Sequence, residues 1–233
     1  MALPKISLPM YELKLPSNDK TVKFRPFTVK EEKILLTAQE ARDSGQMMNA
    51  IKQIVNNCLI DFNVDDLAVF DLEYVLINLR SKSVDNEVTF EIEDPDTKEK
   101  IKLSMELSNV KVTKNKDHSN RIKVNDNYML FLKYPSIDMF KDMLSAEDVS
   151  TDKSFEILIS CMDRIATEDQ VYNFKDFTKK EVDDFVESLH SNVIKEMKHF
   201  FDTIPKVRYE IPYVNSNGDS KTYVVEGIQS FFI

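Results

Sequence analysis

Three stretches of the chain alternate apolar and polar residues with a period of two, which is typical of strands with one buried face. A polar turn interrupts each stretch, at 16–20, 94–96 and 215–220. The apolar positions are Tyr11, Leu13, Leu15, Val22 and Phe24 in the first stretch, Val88, Phe90, Ile92, Ile101, Leu103 and Met105 in the second, and Val207, Tyr209, Ile211, Tyr223 and Val225 in the third. The sequence therefore predicts three β-hairpins.

A helix is predicted directly after the first hairpin. Thr28 and Glu31 have the T-x-x-E spacing of a capping box, in which the threonine hydroxyl accepts from the amide of Glu31 and the glutamate accepts from the amide of Thr28. Gly45 is expected to end the helix in a left-handed conformation. The apolar face of this helix consists of Ile34, Leu35, Ala38 and Ala41.

Apolar residues recur three and four positions apart between the hairpins, which predicts two groups of helices. In the first group, a helix over 46–59 should pack on the one that Thr28 begins, and a helix over 67–83 should follow the capping residues 63–66. The second group comprises a helix over 137–144 capped by Ser136, a helix from 150 or 151 through Met162 and Ile165, a helix begun by a second capping box at Thr178 and Glu181, and a helix over 193–204 ended by Pro205.

These elements predict an α+β fold in which three antiparallel hairpins pack on two groups of helices. Edge strands are predicted at 110–112 and 122–124, on either side of a polar and mobile loop over 113–120. The predicted division is 1–84 with the first hairpin and three helices, 85–134 with the central hairpin, and 135–233 with the acidic helices and the last hairpin. One continuous domain is the alternative at this length.

Composition excludes several classes of protein. The chain of 233 residues contains three glycines, too few for glycine-rich phosphate loops, and its net charge of −9 argues against broad binding of nucleic acid. No stretch approaches the roughly 18 apolar residues that span a membrane, so we expect a cytosolic protein. Cys58 and Cys161 lie in apolar helical patterns and are expected to be buried reduced thiols.

Charge is distributed unevenly along the chain. Residues 1–58 contain nine basic and six acidic residues, whereas residues 140–203 contain eight basic and fifteen acidic residues. This asymmetry could orient copies head to tail or dock a basic partner. Ordinary solvated helix faces are the alternative.

No set of side chains matches a catalytic or metal-binding pattern. His118, His190 and His199 are isolated in the sequence and are expected at the surface. Residues 215–226 have ligands at calcium-loop spacing, but Ser220 occupies the position where such a loop requires glycine. The motifs G-x-S-x-G, H-E-x-x-H, G-x-x-x-x-G-K-[ST] and paired C-x-x-C are absent. The sequence therefore predicts a non-enzymatic protein with no catalytic residue, no cofactor and no metal.

Both ends of the chain carry apolar residues that could contact another protein. Phe231 and Phe232 follow Gly227 and either close the core of the protein or insert into a neighbour. The proline-punctuated segment 3–9 is either a free tail or an extended arm that pairs with the sheet edge of another chain.

Four segments resemble a known family. They are LPKISLPMYELKLPSNDKTVKFRPFTVKEEKILL at the start, MMNAIKQIVNNC, FDLEYVLINLRSKSV and, near the end, EGIQSFF. In this order they resemble the baseplate hub protein family of T-even-like contractile-tailed bacteriophages across most of the chain. The resemblance implies a non-enzymatic protein that acts in assembling the central hub of the tail baseplate. Its partners would be other hub or tape-measure proteins, with no nucleic acid and no membrane.

The resemblance leaves two roles open. The protein is either a hub subunit in the virion tail baseplate or an assembly factor in the host cytoplasm, including a transient chaperone that is absent from the mature virion. Lys23, Arg25, Lys30 and Lys33 become candidate partner contacts, with ordinary solvation as the alternative. Some relatives carry cysteine pairs in the hairpins, like small zinc ribbons. This chain has no cysteines in those turns, so no zinc site is carried over.

Overall fold

The structure, a computed structural model, describes residues 6–41, 43–139 and 151–227. It confirms an α+β fold with antiparallel sheets. The strands are β1 (Tyr11–Lys14), β2 (Thr21–Phe24), β3 (Leu59–Ile60), β4 (Glu87–Glu93), β5 (Lys100–Glu106), β6 (Lys111–Thr113), β7 (Arg121–Lys123), β8 (Met129–Leu132), β9 (Met162–Ala166), β10 (Val171–Asn173), β11 (Lys206–Val214) and β12 (Ser220–Glu226). The helices are α1 (Val29–Ala41), α2 (Ser44–Cys58), α3 (Val69–Ser83), α4 (Thr151–Ser160), α5 (Lys179–Glu187) and α6 (Ser191–Asp202).

The chain forms two compact units. Unit 1 combines 1–113 with 206–233, and unit 2 consists of 114–205. The division predicted after residue 84 falls inside unit 1, and the division predicted after residue 134 falls inside unit 2. The last hairpin lies in unit 1 with the first two hairpins. The acidic helices α4, α5 and α6 lie in unit 2.

Unit 1 contains three small sheets, with strand orders β1-β2-β3, β4-β5 and β12-β11-β6. Helix α1 packs on α2, as predicted, and α2 packs on α3. Helix α3 is buried on most sides, and its buried residues include the acidic Asp71 and Glu73 beside six apolar residues. The largest fully buried side chains of unit 1 are Leu15, Phe24, Ile51, Ile54, Leu67, Leu72, Leu76, Ile77, Leu79 and Leu107.

All three predicted hairpins form. Tyr11 lies opposite Phe24 in the first, and Glu91 lies opposite Lys102 in the second. In the third, β11 also pairs with β6. Every second residue of β2 and of β4 is buried, as the period of two requires.

The boundary between α1 and α2 differs from the prediction. Helix α1 ends at Ala41, and Gly45 lies in the first turn of α2 instead of ending α1. Asp43 has an extended backbone, and its carboxylate accepts a hydrogen bond from the amide of Gln46 at 2.6 Å. An aspartate N-cap therefore decides this boundary. Ala41, predicted on the apolar face of α1, is exposed.

Two predicted caps behave differently in the structure. Asn63 caps a short 3-10 helix over Val64–Asp66, and α3 begins only after Ala68, whose side chain makes no capping hydrogen bond. The Thr28 amide donates to the Glu31 carboxylate at 2.9 Å, but the threonine hydroxyl accepts from the amide of Lys30 instead of that of Glu31. Only half of the predicted capping box forms.

Unit 2 contains a four-stranded sheet with the order β10-β9-β8-β7. Helices α4 and α6 cover one face of it, with α5 at the margin of this core. The capping box at Thr178 and Glu181 forms completely. The buried core consists of Ile122, Leu130, Leu132, Leu158, Met162, Val193, Met197 and Phe200.

The helix predicted from residue 151 through Ile165 was wrong in its second half. Helix α4 ends at Ser160, and Met162 and Ile165 lie in β9. Their spacing of three continues the helical pattern, but pairing with β8 on one side and β10 on the other fixes them as a strand. Non-local pairing therefore overrides the local period.

One further helix prediction falls partly outside the described residues. The hydroxyl of Ser136 accepts from the amide of Met139 at 3.3 Å, as expected of a cap, and residues 137–139 are helical. Residues 140–150 lie outside the described part of the chain.

Unit 2 is inserted between two neighbouring strands of unit 1. The chain leaves unit 1 at Thr113, the last residue of β6, and returns at Lys206, the first residue of β11. These two residues are partners in the antiparallel ladder between β6 and β11. The Thr113 hydroxyl also donates to the carbonyl of Lys206 at 3.2 Å.

Candidate functional site

The structure places the predicted basic contacts in different environments. Lys23 is exposed on β2 and pairs with Glu12 at 3.7 Å. Lys30 and Lys33 are exposed on α1. Lys33 also lines a shallow groove of about 430 Å³ between α1 and α2, whose other walls include polar side chains of α2. All three lysines are exposed.

Arg25 supports the fold of unit 1. Its guanidinium binds the carboxylate of Glu31 at 3.1 Å and donates to the carbonyls of Pro26 and Asn57 at 2.9 and 3.0 Å. Burial alone raises the pKa of Glu31, but hydrogen bonds from Arg25 and Thr28 outweigh it and lower the pKa to about 2. Arg25 therefore holds a buried carboxylate in its charged form, a role that the sequence did not indicate.

The predicted contacts at the chain ends are largely beyond the structural description. Phe231 and Phe232 lie outside the described residues, as do residues 1–5. In the remainder of the N-terminal segment, Ile6 is 87% exposed and precedes β1, an edge strand of its sheet.

The turn of the second hairpin is bonded to the third hairpin. Asp94 is fully buried, and its carboxylate accepts from the amides of Asp96 and Thr97, from the Tyr213 hydroxyl at 2.8 Å and from the Lys221 ammonium. Burial raises the pKa of Asp94, but these hydrogen bonds outweigh it and the net shift is downward. The carboxylate is occupied by protein donors, so it acts as a structural tie.

Turn chemistry also organises the third hairpin. The side chain of Asn215 accepts from the amides of Asn217 and Asp219 at 3.1 and 2.9 Å, and Gly218 adopts a positive φ of 87°. Asn215 thus forms an Asx turn that closes β11 onto β12.

His118 corrects the expectation that the histidines lie at the surface. It is half-buried in unit 2 and stacks on Tyr134 and Phe200. Its ring nitrogens bond to Thr203 and Tyr134, both at 3.0 Å. Because the Thr203 hydroxyl donates to the carbonyl of His199, its oxygen accepts from Nδ1–H of His118. Burial, followed by the charges of Lys114 and His199, lowers the pKa of His118.

Both cysteines are buried and free, as predicted. Burial raises the pKa of the Cys58 and Cys161 thiols to about 11. The thiol is therefore the dominant form at neutral pH, which makes both side chains poor nucleophiles.

An apolar groove of about 360 Å³ lies at one end of the unit 2 sheet. Ile165 forms its floor, and Tyr172 of the edge strand β10 lies directly opposite Ile165 on the same face. Phe177 and Tyr128 remain 43% and 39% exposed at its rim. The remaining walls come from Phe174, Glu181, Val182 and Phe185.

Helix α5 separates this groove from a second cavity of about 470 Å³. None of the helix's residues is fully buried, so its apolar side is only partly covered. Lys133, Lys175 and Lys179 line the second cavity, whereas Glu181 is the single charged residue described in the lining of the first. The apolar groove is therefore free of cationic side chains within the described residues.

The sequence signal for this groove is the run Val171-Tyr172-Asn173-Phe174, followed by Phe177. The alternation of apolar and polar residues in this run could have indicated a strand, but the strand has only three residues. The predicted helix through Ile165 also hid the strand that β10 pairs with. Neither the groove nor its residues appeared among the predicted contacts.

Comparison with family models matches residues 8–233 to one family, described as T4 bacteriophage base plate protein. The match covers nearly the whole chain. The chain belongs to the T4 base plate protein family. The resemblance seen in the sequence is thereby confirmed at the level of a phage base plate protein.

For this base plate protein, comparisons with curated proteins and with solved structures returned no match. No helix among its described residues is long and apolar enough to cross a lipid bilayer. Those residues also contain no group of three or more His, Cys, Asp or Glu side chains arranged to hold a metal ion.

Proposed function

We propose that this base plate protein acts in assembly of the baseplate hub through contacts with other tail proteins, without catalysing a reaction. The family match over residues 8–233 is the observation that supports it most directly. The exposed apolar groove of unit 2 and the exposed lysines of α1 add surfaces of the kind that bind proteins.

The non-enzymatic part of the proposal rests on how the polar groups are used. Asp94, Glu31 and His118 are described side chains with shifted pKa values. Each makes hydrogen bonds to neighbouring side chains that hold the fold. Structural ion pairs and hydrogen-bond networks also perturb pKa values, and the bonds of these three groups are of that structural kind. We expect a single substitution that abolishes function to abolish partner binding as well.

Co-expression tests the proposal. The tagged chain is produced with each hub and tape-measure protein of the same phage, and complexes are isolated by affinity and size-exclusion chromatography. We expect at least one of these proteins to co-elute at a fixed stoichiometry. Failure of all of them to co-elute would contradict the proposal.

A transient chaperone is the second candidate, because an exposed apolar groove can shield an aggregation-prone segment of a client. Mass spectrometry of purified virions separates the two roles. Peptides of this chain in mature particles support a structural subunit. Their absence, together with abundant protein in the host cytoplasm during assembly, supports a chaperone or other assembly factor.

A further inference from the structure

We propose that the unit 2 groove accepts an extended segment of a partner tail protein, which adds a strand to β10. The segment would carry alternating apolar residues and a net positive charge. This inference rests on the proposed function and specifies the kind of partner contact.

No described strand of unit 2 pairs with the outer edge of β10. β10 is the terminal strand of the four-stranded sheet and pairs only with β9 among the described strands. The Thr167 amide donates to the Gln170 carbonyl at 2.8 Å, which fixes the hydrogen-bonding alternation of this hairpin. By that alternation Tyr172 bonds towards β9, whereas both backbone groups of Val171 and the N–H of Asn173 point away from the sheet. The carbonyl of Asn173, the N-cap of the 3-10 helix that follows β10, is used by that helix. The other three groups can pair with an incoming strand.

The groove is in register with that edge. Tyr172 faces the groove side of the sheet, together with its neighbour Ile165, whereas Val171 lies on the opposite face with Ala166. Side chains of an added strand would alternate in the same way, so every second residue would enter the groove. Val171 is 58% exposed, which leaves apolar surface on the opposite face as well.

Charge selects a basic partner over a second copy of this chain. Residues 168–187, which form β10 and the groove wall, contain seven acidic and three basic residues. Lys175, Lys179 and Asp183 line the second cavity instead of the groove, and without them this stretch still has six acidic residues and one lysine. Two such acidic rims would repel each other, whereas a segment with lysines or arginines would be attracted.

The test uses overlapping 15-residue peptides that cover the tail proteins of the same phage. The labelled full-length chain is applied to the peptides, and those that bind are titrated in solution by fluorescence anisotropy. We expect the bound peptides to share alternating apolar residues and net positive charge, and their affinity to fall as salt rises. Absence of any binder, or binders that are acidic or lack alternation, would overturn the inference.

A pair of variants examines the strand edge. Val171→Pro removes an outward N–H without removing a bond to β9, which an edge strand tolerates. Val171→Thr keeps both the N–H and the β-branched shape. We expect the proline variant to bind at least about tenfold more weakly and the threonine variant to stay within about twofold of the wild type. Equal affinity of the two variants would contradict strand addition.

Phe177→Ser examines the groove without touching the ladder and serves if the proline variant does not fold. Its exposed ring contributes apolar surface at the rim, and we expect about tenfold weaker binding. Unchanged affinity would overturn the inference. Dimerisation of the wild type that Val171→Pro abolishes would assign the edge to a second copy and also overturn it.

The peptide test and the co-expression test distinguish failure of the groove inference from failure of the proposed function. If a full-length tail protein co-elutes with the chain and with the Val171→Pro and Phe177→Ser variants equally well, the groove is not the contact and the proposed function stands. If neither full-length proteins nor peptides bind, the proposed function fails as well.

Discussion

Arg25 and Glu31 form a partly buried ion pair at the start of α1. The Glu31 side chain is only 2% exposed, so its charge depends on the guanidinium and on Thr28 for compensation. Removing one member of such a pair leaves an unpaired buried charge. The intact pair therefore adds little net stability, whereas removing one of its two side chains strongly destabilises the fold.

Replacing Arg25 by alanine tests this view. We expect Arg25→Ala to lower the free energy of unfolding by about 3 kcal/mol, because Glu31 keeps its buried position and loses its main partner. Denaturant unfolding followed by circular dichroism measures the change. Lys30→Ala is the matched control, since Lys30 is exposed and its loss should stay within about 0.5 kcal/mol. Equal effects of the two substitutions would contradict a structural role for Arg25.

The same carboxylate predicts a pH dependence. The pKa of Glu31 is about 2 in the folded chain and 4.5 in its ordinary state. A lowered pKa contributes stability above the ordinary value, and this contribution is lost as pH falls towards the folded pKa. We expect the stability difference between wild type and Glu31→Gln to shrink by about 3 kcal/mol between pH 5 and pH 2. Comparing the two proteins removes the contributions of other carboxylates, and a pH-independent difference would contradict the prediction.

For single residues, the sequence predicted the position in the secondary structure better than the side chains that each residue contacts. The spacing of Thr28 and Glu31 placed a carboxylate at the start of α1, but nothing local indicated that Arg25 would reach it across the turn at Pro26. His118 was expected at the surface because its ring partners, Tyr134 and Thr203, are distant in the sequence. The spacing of apolar residues along the chain does not reveal side-chain roles that depend on contacts between residues distant in the sequence.

At the scale of elements, hairpins were predictable because their two strands are neighbours in the chain. The alternation in each strand and the polar residues between them are local signals. β9 was missed because Met162 and Ile165 also fit the helical stripe of α4, and only pairing with β8 and β10 decides between the two. β10 has three residues, too few for its pattern to stand out.

The bond between the second and third hairpins is a feature that neither hairpin shows by itself. Asp94 in the turn after β4 accepts from Tyr213 of β11 and Lys221 of β12. More than a hundred residues separate these partners, so the contact links elements that form independently. It fixes one hairpin against the other through hydrogen bonds to a buried carboxylate.

We expect Asp94→Asn to destabilise unit 1, because asparagine keeps the shape but removes the charge that Lys221 binds. The thermal midpoint should fall, and hydrogen exchange should speed up in β4, β5, β11 and β12 before the rest of the unit. Asp85→Asn is the control, since Asp85 is exposed just before β4 and lies outside the turn that binds Lys221. A uniform loss of protection across both units would count against a local tie.

At the scale of the whole molecule, the two-unit division follows from a single ladder. Thr113 and Lys206 face each other in the pairing of β6 with β11, so the ends of unit 2 attach to adjacent positions of unit 1. A short turn could connect these positions in its absence. Domains inserted in this way keep their own cores.

Excising unit 2 provides the test. We replace 114–205 by Asn-Gly, a dipeptide that favours the two-residue turn between antiparallel strands. The shortened chain should fold cooperatively and retain β6, β11 and β12, and the separate segment 114–205 should fold as well. Nuclear magnetic resonance spectra of both pieces, compared with the full chain, measure this. A shortened chain with unfolded spectra would contradict the independence of unit 1.

The insertion also sets an order of events during synthesis. The ribosome releases residues 1–113 first, but the β12-β11-β6 sheet cannot form until residues 206–226 have emerged. All of unit 2 is synthesised before β11 and β12, so it can fold while β6 still lacks its partner strand β11. Helix α3, which packs on β11 in the folded protein, therefore lacks that contact while the more than ninety residues of unit 2 are translated.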